Sequence, residues 1–116
     1  MNILVFDVVG ESALSMQKGE KLYEMMIENL KSGKEVELDF NGVQKFASPF
    51  FNASIGRLLK DFTPEDLNRR MKFTNLNAVG GSLLRKSIKN SAEYFQDNLM
   101  KNAVDKAISN IEGDIK

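Results

Sequence analysis

Apolar residues in this chain recur with period two in some stretches and with a period near 3.6 in others. The switches between the two periods divide it into elements. Residues 2–8 (NILVFDV) are rich in Ile, Val and Phe and predict a first strand, closed by Gly10-Glu11-Ser12. Over residues 13–31, Leu22, Met25, Met26 and Leu30 fall at helical spacing. Gly33 in Ser32-Gly33-Lys34 predicts a left-handed cap at the end of that helix. Gly19 sits inside the helical window at a cost of about 1 kcal/mol relative to Ala, so it marks the true helix start or a close contact. Residues 35–40 (EVELDF) alternate and predict a second strand. Asn41-Gly42 has the composition of a hairpin turn. The following VQKFAS, however, runs straight into Ser48-Pro49, so strand, loop and helix is the better reading.

Ser is a favoured N-cap and Pro a favoured first helical residue, so Ser48 is expected to cap a helix running to about Phe62. Phe51, Ile55, Leu58, Leu59 and Phe62 form its inward stripe. Phe50 is adjacent to Phe51 and is expected to be partly exposed, because one helix face cannot hold both. Gly56, in mid-helix, predicts close approach of another element. Thr63-Pro64-Glu65-Asp66 starts a short helix. Residues 71–76 (MKFTNL) predict a third strand, and residues 77–82 a loop. A last helix carries Leu83, Leu84, Ile88, Tyr94, Phe95 and Leu99, extended weakly by Val104, Ile108 and Ile111 and frayed from Gly113 to Lys116. Strands alternating with helices predict one α/β domain over residues 1–116, with mostly parallel or mixed strands and a C-terminal helical region at 79–112.

Composition narrows the function. The chain has 116 residues, with 16 basic and 16 acidic side chains, so no global field favours nucleic acid or an anionic membrane. No apolar run reaches the roughly 20 residues of a membrane span, and the start lacks a secretory leader, so the cytoplasm is the expected compartment. Cys and His are both absent. That removes disulfides, thiolate nucleophiles and the commonest general base and metal ligand. A Ser–His or Cys–His catalytic pair cannot be built. The expectation is a protein that is not an enzyme and holds no metal or cofactor.

Several residues carry candidate chemistry. Ser48, at a helix start, has a hydroxyl where backbone N–H groups favour negative charge. Its expected neighbours in a docking surface are Asn41, Lys45, Phe50 and Asn52. Gly80-Gly81-Ser82, between strand and helix, is a weak candidate for cradling an anion or nucleotide phosphate on backbone N–H groups. Asp39 ends a strand, where ligands bind in open α/β sheets, but has no second carboxylate near it in sequence. The basic runs Arg69-Arg70-Lys72 and Arg85-Lys86-Lys89 read as solvated faces.

Asp39-Phe-Asn-Gly-Val43, then Ala47-Ser48-Pro-Phe-Phe-Asn and Ile55-Gly-Arg-Leu-Leu59, resemble the core of STAS-like domains. The resemblance is strongest to the STAS-like family of unknown function, whose members carry a DF-x-G-V strand end followed by a Ser-x-Phe helix start. Gly10-Glu-Ser-Ala-Leu-Ser15 resembles that family's segment before its first helix, with Met16 where Arg is frequent. The likeness covers the chain to about Leu76. It implies a small domain with a mixed sheet flanked by helices. It is also distantly like anti-sigma factor antagonists, in which a serine at the corresponding helix start is phosphorylated by a GHKL-type ATPase kinase. That serine aligns with Ser48, although the usual Asp-Ser-Ser/Thr-Gly pattern is here Ala47-Ser48-Pro49-Phe50. The resemblance thus implies a regulatory protein-interaction module with Ser48 as phosphorylation candidate and a GHKL-type ATPase or another signalling protein as partner. The alternatives are an anion-binding domain using Gly80-Gly81-Ser82, and a structural homodimer subunit.

Overall fold

The computed structural model describes the backbone of residues 1–115 and the side-chain surroundings of residues 1–96. The chain runs β1 (Asn2–Leu4), α1 (Val5–Val9), β2 (Ser12–Ala13), α2 (Met16–Lys31), β3 (Val36–Asp39), β4 (Lys45–Phe46) and α3 (Ser48–Ser54). A 3-10 helix (Gly56–Lys60), α4 (Pro64–Arg70), β5 (Met71–Thr74) and α5 (Ala78–Ile115) follow. The expected apolar positions Leu99, Val104, Ile108 and Ile111 lie outside the described side chains, as does Lys116 altogether.

β3 is the centre of a three-stranded sheet of order β1-β3-β5, and β2 pairs with β4 in a second, two-stranded one. Among the described residues every pairing is parallel, where the resemblance implied a mixed sheet. The reason is connectivity: β1 reaches β3 only after α2, and β3 reaches β5 only after α3 and α4, and crossovers of that length yield parallel neighbours. The register aligns Ile3, Leu38 and Phe73 across the main sheet, and Val36 with Met71. These residues face the helices, and Ile3, Val36, Leu38 and Met71 are buried. The rows between them, Asn2-Glu37-Lys72 and Leu4-Asp39-Thr74, face away, and Leu4 is half exposed.

The first strand is shorter than expected, because residues 5–9 wind into α1. A continuous strand would set Asp7 on the same face as Ile3, Val5 and Val9. Helical winding buries Val5 and Val9, one turn apart, and leaves Asp7 in solvent. Gly10, with φ of 76°, ends that turn by donating its N–H to the Phe6 carbonyl at 2.8 Å.

α2 begins three residues later than the periodicity indicated, since Ala13 belongs to β2. Ser15 is its N-cap, accepting the Lys18 N–H at 3.2 Å. Its end is a Schellman turn: Gly33 (φ 81°) donates to Leu30 and Lys34 donates to Asn29. Met26 is buried, whereas its neighbour Met25 is exposed.

The helix expected from Pro49 to Phe62 is two pieces. Ser54 donates its hydroxyl back to the Phe50 carbonyl at 2.8 Å, a bond that bends helices, and the chain tightens into the 3-10 segment from Gly56. Gly56 fulfils its expectation: a Cβ there would run into the Ser91 hydroxyl of α5 and lie 3.1 Å from that of Ser87. α4 starts with a complete capping box between Thr63 and Asp66.

Gly19 is the close contact anticipated. A Cβ there would penetrate the Phe50 carbonyl oxygen and stand 2.9 Å from the Ala53 methyl. Gly19→Ala therefore opposes a propensity gain of about 1 kcal/mol to a clash with backbone that cannot swing aside. Overpacking costs typically 1–3 kcal/mol, so the clash wins. Urea unfolding should show a net loss of up to about 2 kcal/mol. A stabilised variant would mean that α2 and α3 do not meet there.

Candidate functional site

Ser48 is positioned by the small sheet. β4 pairs with β2, the Ala47 N–H donates to the Ala13 carbonyl at 3.1 Å, and the chain enters α3 from extended backbone. The N-cap is Ala47, with no side-chain cap, rather than Ser48. Ser48 is the first helical residue, and Pro49 follows it. A serine caps from extended backbone outside the helix, and here the β4 ladder holds Ala47 in that conformation instead. The anion-friendly helix start is corrected with it. Pro49 has no N–H, and the Phe50 N–H donates to the Ala47 carbonyl at 3.2 Å. Ser48 is half-buried, and among the described residues its hydroxyl makes no hydrogen bond.

Phe50 is fully buried, as is Phe51, which corrects its expected role as a partner contact. Both can be buried because α3 is enclosed on two sides. The Gly19 contact lets α2 come down on the Phe50 turn, and the Phe51 ring, edge-on to that of Phe50 at 5.3 Å between centroids, also meets Phe46 (5.6 Å, stacked) and Phe40 (6.3 Å). The ridge left to solvent holds Ser48 and, one turn on, exposed Asn52.

That ridge leads into a groove of about 590 Å³ between α2 and α5. Met16 and Glu20 form the α2 wall, Ala53 and Gly56 the floor, and Ser91 and Tyr94 the α5 wall. Asn52 fastens floor to wall by accepting the Ser87 hydroxyl at 2.7 Å. Arg57, also lining the groove, lies over the Tyr23 ring at 4.2 Å from its centroid. Met16 is 53% and Tyr94 62% exposed, and Leu14, at 43%, directly follows the β2 residue whose carbonyl holds Ala47. These three exposed apolar side chains are the part that sequence reasoning missed. Tyr94 in particular was expected among the apolar members of α5.

Of the expected docking set, the structure joins Ser48 and Asn52 on one ridge, with exposed Lys45 on the strand before it. Asn41 belongs elsewhere. It sits in a turn closed by the Val43 N–H on the Phe40 carbonyl, with Gly42 at φ 90°, and its own N–H donates to Asp39. There the Asp39 carboxylate also accepts the Asn75 amide at 2.8 Å. Asp39 is thereby engaged as a latch between the ends of β3 and β5.

Residues 77–82 are not a loop. Gly80, Gly81 and Ser82 lie in the first turns of α5, where the Gly80 N–H donates to the Asn77 side chain and the Gly81 N–H to the Asn77 carbonyl, both at 2.8 Å. Gly80 is packed against Phe46 and Leu76. The N–H groups that would have cradled an anion are spent on the cap, so this turn is a packing device.

Two measurements check these assignments. Ser48→Ala should change unfolding free energy by less than about 0.5 kcal/mol, as at an ordinary surface position. Thr63→Ala should cost about 1 kcal/mol by removing a real cap. Equal losses would restore Ser48 as a cap. The second concerns Asp39, whose pKa is lowered by the Asn75 amide and then by the Asn41 N–H. A depressed folded value stabilises the protein above the ordinary carboxylate pKa near 4, and that support fades as pH falls through the folded value. Asp39→Asn should flatten the acid-side decline of urea midpoints below about pH 4, and an unchanged slope would contradict the latch.

Comparison with known proteins returns one family, the STAS-like domain of unknown function (DUF4325), matched over residues 18–80. No curated protein and no solved structure gives a significant match. The matched span runs from the first turn of α2 through Ser48 and the α3 ridge to the start of α5, more than half of the chain. With that span and an α/β architecture, the chain belongs to the family of STAS-like domains of unknown function.

Proposed function

We propose that this chain is a non-enzymatic, cytoplasmic regulatory module that docks a protein partner over the α3 ridge and is switched by phosphate on Ser48. The observation that carries this reading is the setting of the Ser48 hydroxyl. It is accessible and unspent in hydrogen bonding among the described residues, and the nearby surface holds exposed Leu14, Met16 and Tyr94. Met16 and Tyr94 line one groove, and a contiguous apolar patch rimmed by polar residues marks an interaction surface. The absence of both His and Cys weighs against turnover. A GHKL-type ATPase is the partner class that the STAS resemblance implies.

Phosphate would bring a charge of about −1.5 to −2 onto this surface. The α3 start returns little of its cost, since Pro49 offers no N–H and that of Phe50 is taken. The charge therefore acts on the partner: an apolar contact fitted to a neutral hydroxyl would have to desolvate a dianion.

Titration calorimetry against a GHKL-type ATPase isolated with the chain from its native host tests the proposal. Ser48→Asp should melt within a few degrees of the parent yet bind at least about tenfold more weakly, which is about 1.4 kcal/mol. Ser48→Ala should bind like the parent. Equal affinities for both variants would leave Ser48 without a switching role.

A further inference from the structure

Asn41 and Gly42 form the turn that carries the chain out of β3, and the switch at Ser48 makes no use of them. Of the asparagines in this chain, Asn41 alone is followed by glycine. Both residues of the pair are exposed. The turn is closed by the Val43 N–H on the Phe40 carbonyl, and the Asn41 N–H is held by the Asp39 carboxylate, each at 2.9 Å. Those bonds leave two groups unspent. Among the described residues neither the Gly42 N–H nor the Asn41 side-chain amide makes a hydrogen bond.

The fold also keeps glycine in this place. Gly42 has φ of 90°, a conformation that L side chains rarely adopt, and a Cβ there would stand 3.0 Å from the Phe6 ring. A residue whose side chain would shield the Gly42 nitrogen is therefore excluded. An unhindered backbone nitrogen directly follows a free side-chain amide. Other asparagines lack that combination. The Asn75 amide is spent on Asp39, the Asn77 side chain binds Gln44 and Gly80, and Asn52 lies within α3 and precedes Ala53.

We propose that Asn41 is a site of spontaneous modification, deamidated through a cyclic imide formed with the Gly42 nitrogen. The Gly42 nitrogen loses its proton and bonds to the Asn41 side-chain carbonyl carbon. The bond from that carbon to its own nitrogen breaks, and ammonia leaves with the proton. Water then opens the imide at either carbonyl, giving Asp in one case and an isoaspartyl link in the other. No oxidant or reductant takes part. Both products place a new carboxylate two residues from Asp39, where like charge opposes the ionised form that accepts the Asn41 and Asn75 donors. The isoaspartyl link also adds a carbon to the backbone of a turn that the Val43 N–H must close. The latch between the ends of β3 and β5 thus loosens as the chain ages.

The test incubates the purified full chain in mildly alkaline buffer beside a synthetic peptide of residues 35–45, the fragment that trypsin releases by cutting after Lys34 and Lys45. Asn41 in the folded chain should convert within about tenfold of the free peptide's rate, since an exposed turn costs little to open. Mass spectrometry of the tryptic fragment should show the gain from amide to carboxyl, split between two chromatographic peaks. Each should carry one heavy oxygen when the incubation is run in labelled water. The isoaspartyl peak alone should accept a methyl group from an isoaspartyl methyltransferase. Asn41→Gln, whose side chain is a methylene too long to close the same ring readily, should suppress both peaks. A folded chain that keeps Asn41 intact while the peptide converts, or a mass gain that survives Asn41→Gln, overturns the assignment. Hydrogen exchange of the Val43 amide reads the consequence. It should be faster in the converted chain, and an unchanged Val43 would contradict the loosened latch.

Discussion

The contact on which this structure turns is that of Gly19 with the backbone of α3. No side chain fits between α2 and the Phe50 carbonyl, so the two helices meet at backbone distance. Phe50 and Phe51 are both buried, edge to face with each other, and Phe51 joins them to Phe40 and Phe46 in one aromatic cluster. With both phenylalanines withdrawn, α3 shows solvent Pro49 and Asn52, with Ser48 and Ala53 half-buried. A second glycine repeats the device at the other end: Gly56 lets α5 approach through Ser87 and Ser91 and so sets the far wall of the groove. Two missing methyl groups thus determine where the surface of this domain is concave.

The sheet explains why function is sought on the helical side. Its outward rows carry Asn2, Glu37 and Lys72, then Leu4, Asp39 and Thr74. Lys72 and Glu37 stand 3.9 Å apart, and Asp39 is engaged by Asn75 and Asn41. On that face Lys72 stands near Glu37 and Asp39 accepts two hydrogen bonds, whereas among the described residues Glu20 and Arg57 form no ion pair and the Ser48 hydroxyl no hydrogen bond. Parallel sheets are ordinarily covered on both faces, and this one manages an open face by making it polar.

Much of this was legible from local pattern. EVELDF and MKFT give alternation with one buried face, and Phe51, Ile55 and Leu58 form a stripe that the fold buries completely. Thr63-Pro64-Glu65-Asp66 holds its capping chemistry within four residues. Gly19 and Gly56 announced close contacts, though not with what. The failures share one cause, long-range geometry overriding local preference. Residues 5–9 have strand composition, but a strand would bury Asp7. Ser48 has cap chemistry, but the β2–β4 ladder, two residues long on each side, gives the cap position to Ala47. Gly80-Gly81-Ser82 has loop composition, but Asn77 caps a helix over it. The groove was not legible at all, because its walls come from segments more than thirty residues apart in sequence and one of its rims, Tyr94, is a side chain that local pattern assigns to the apolar stripe of α5.

The central claim is that the partner covers the α3 ridge and the groove beside it. Hydrogen exchange of the chain, free and in complex with a partner protein isolated with it from its native host, measures this most directly. Protection concentrated in residues 14–20, 48–57 and 90–95, with the sheet face at 2–4 and 71–74 unchanged, is the predicted footprint. Protection confined to the sheet face would contradict it.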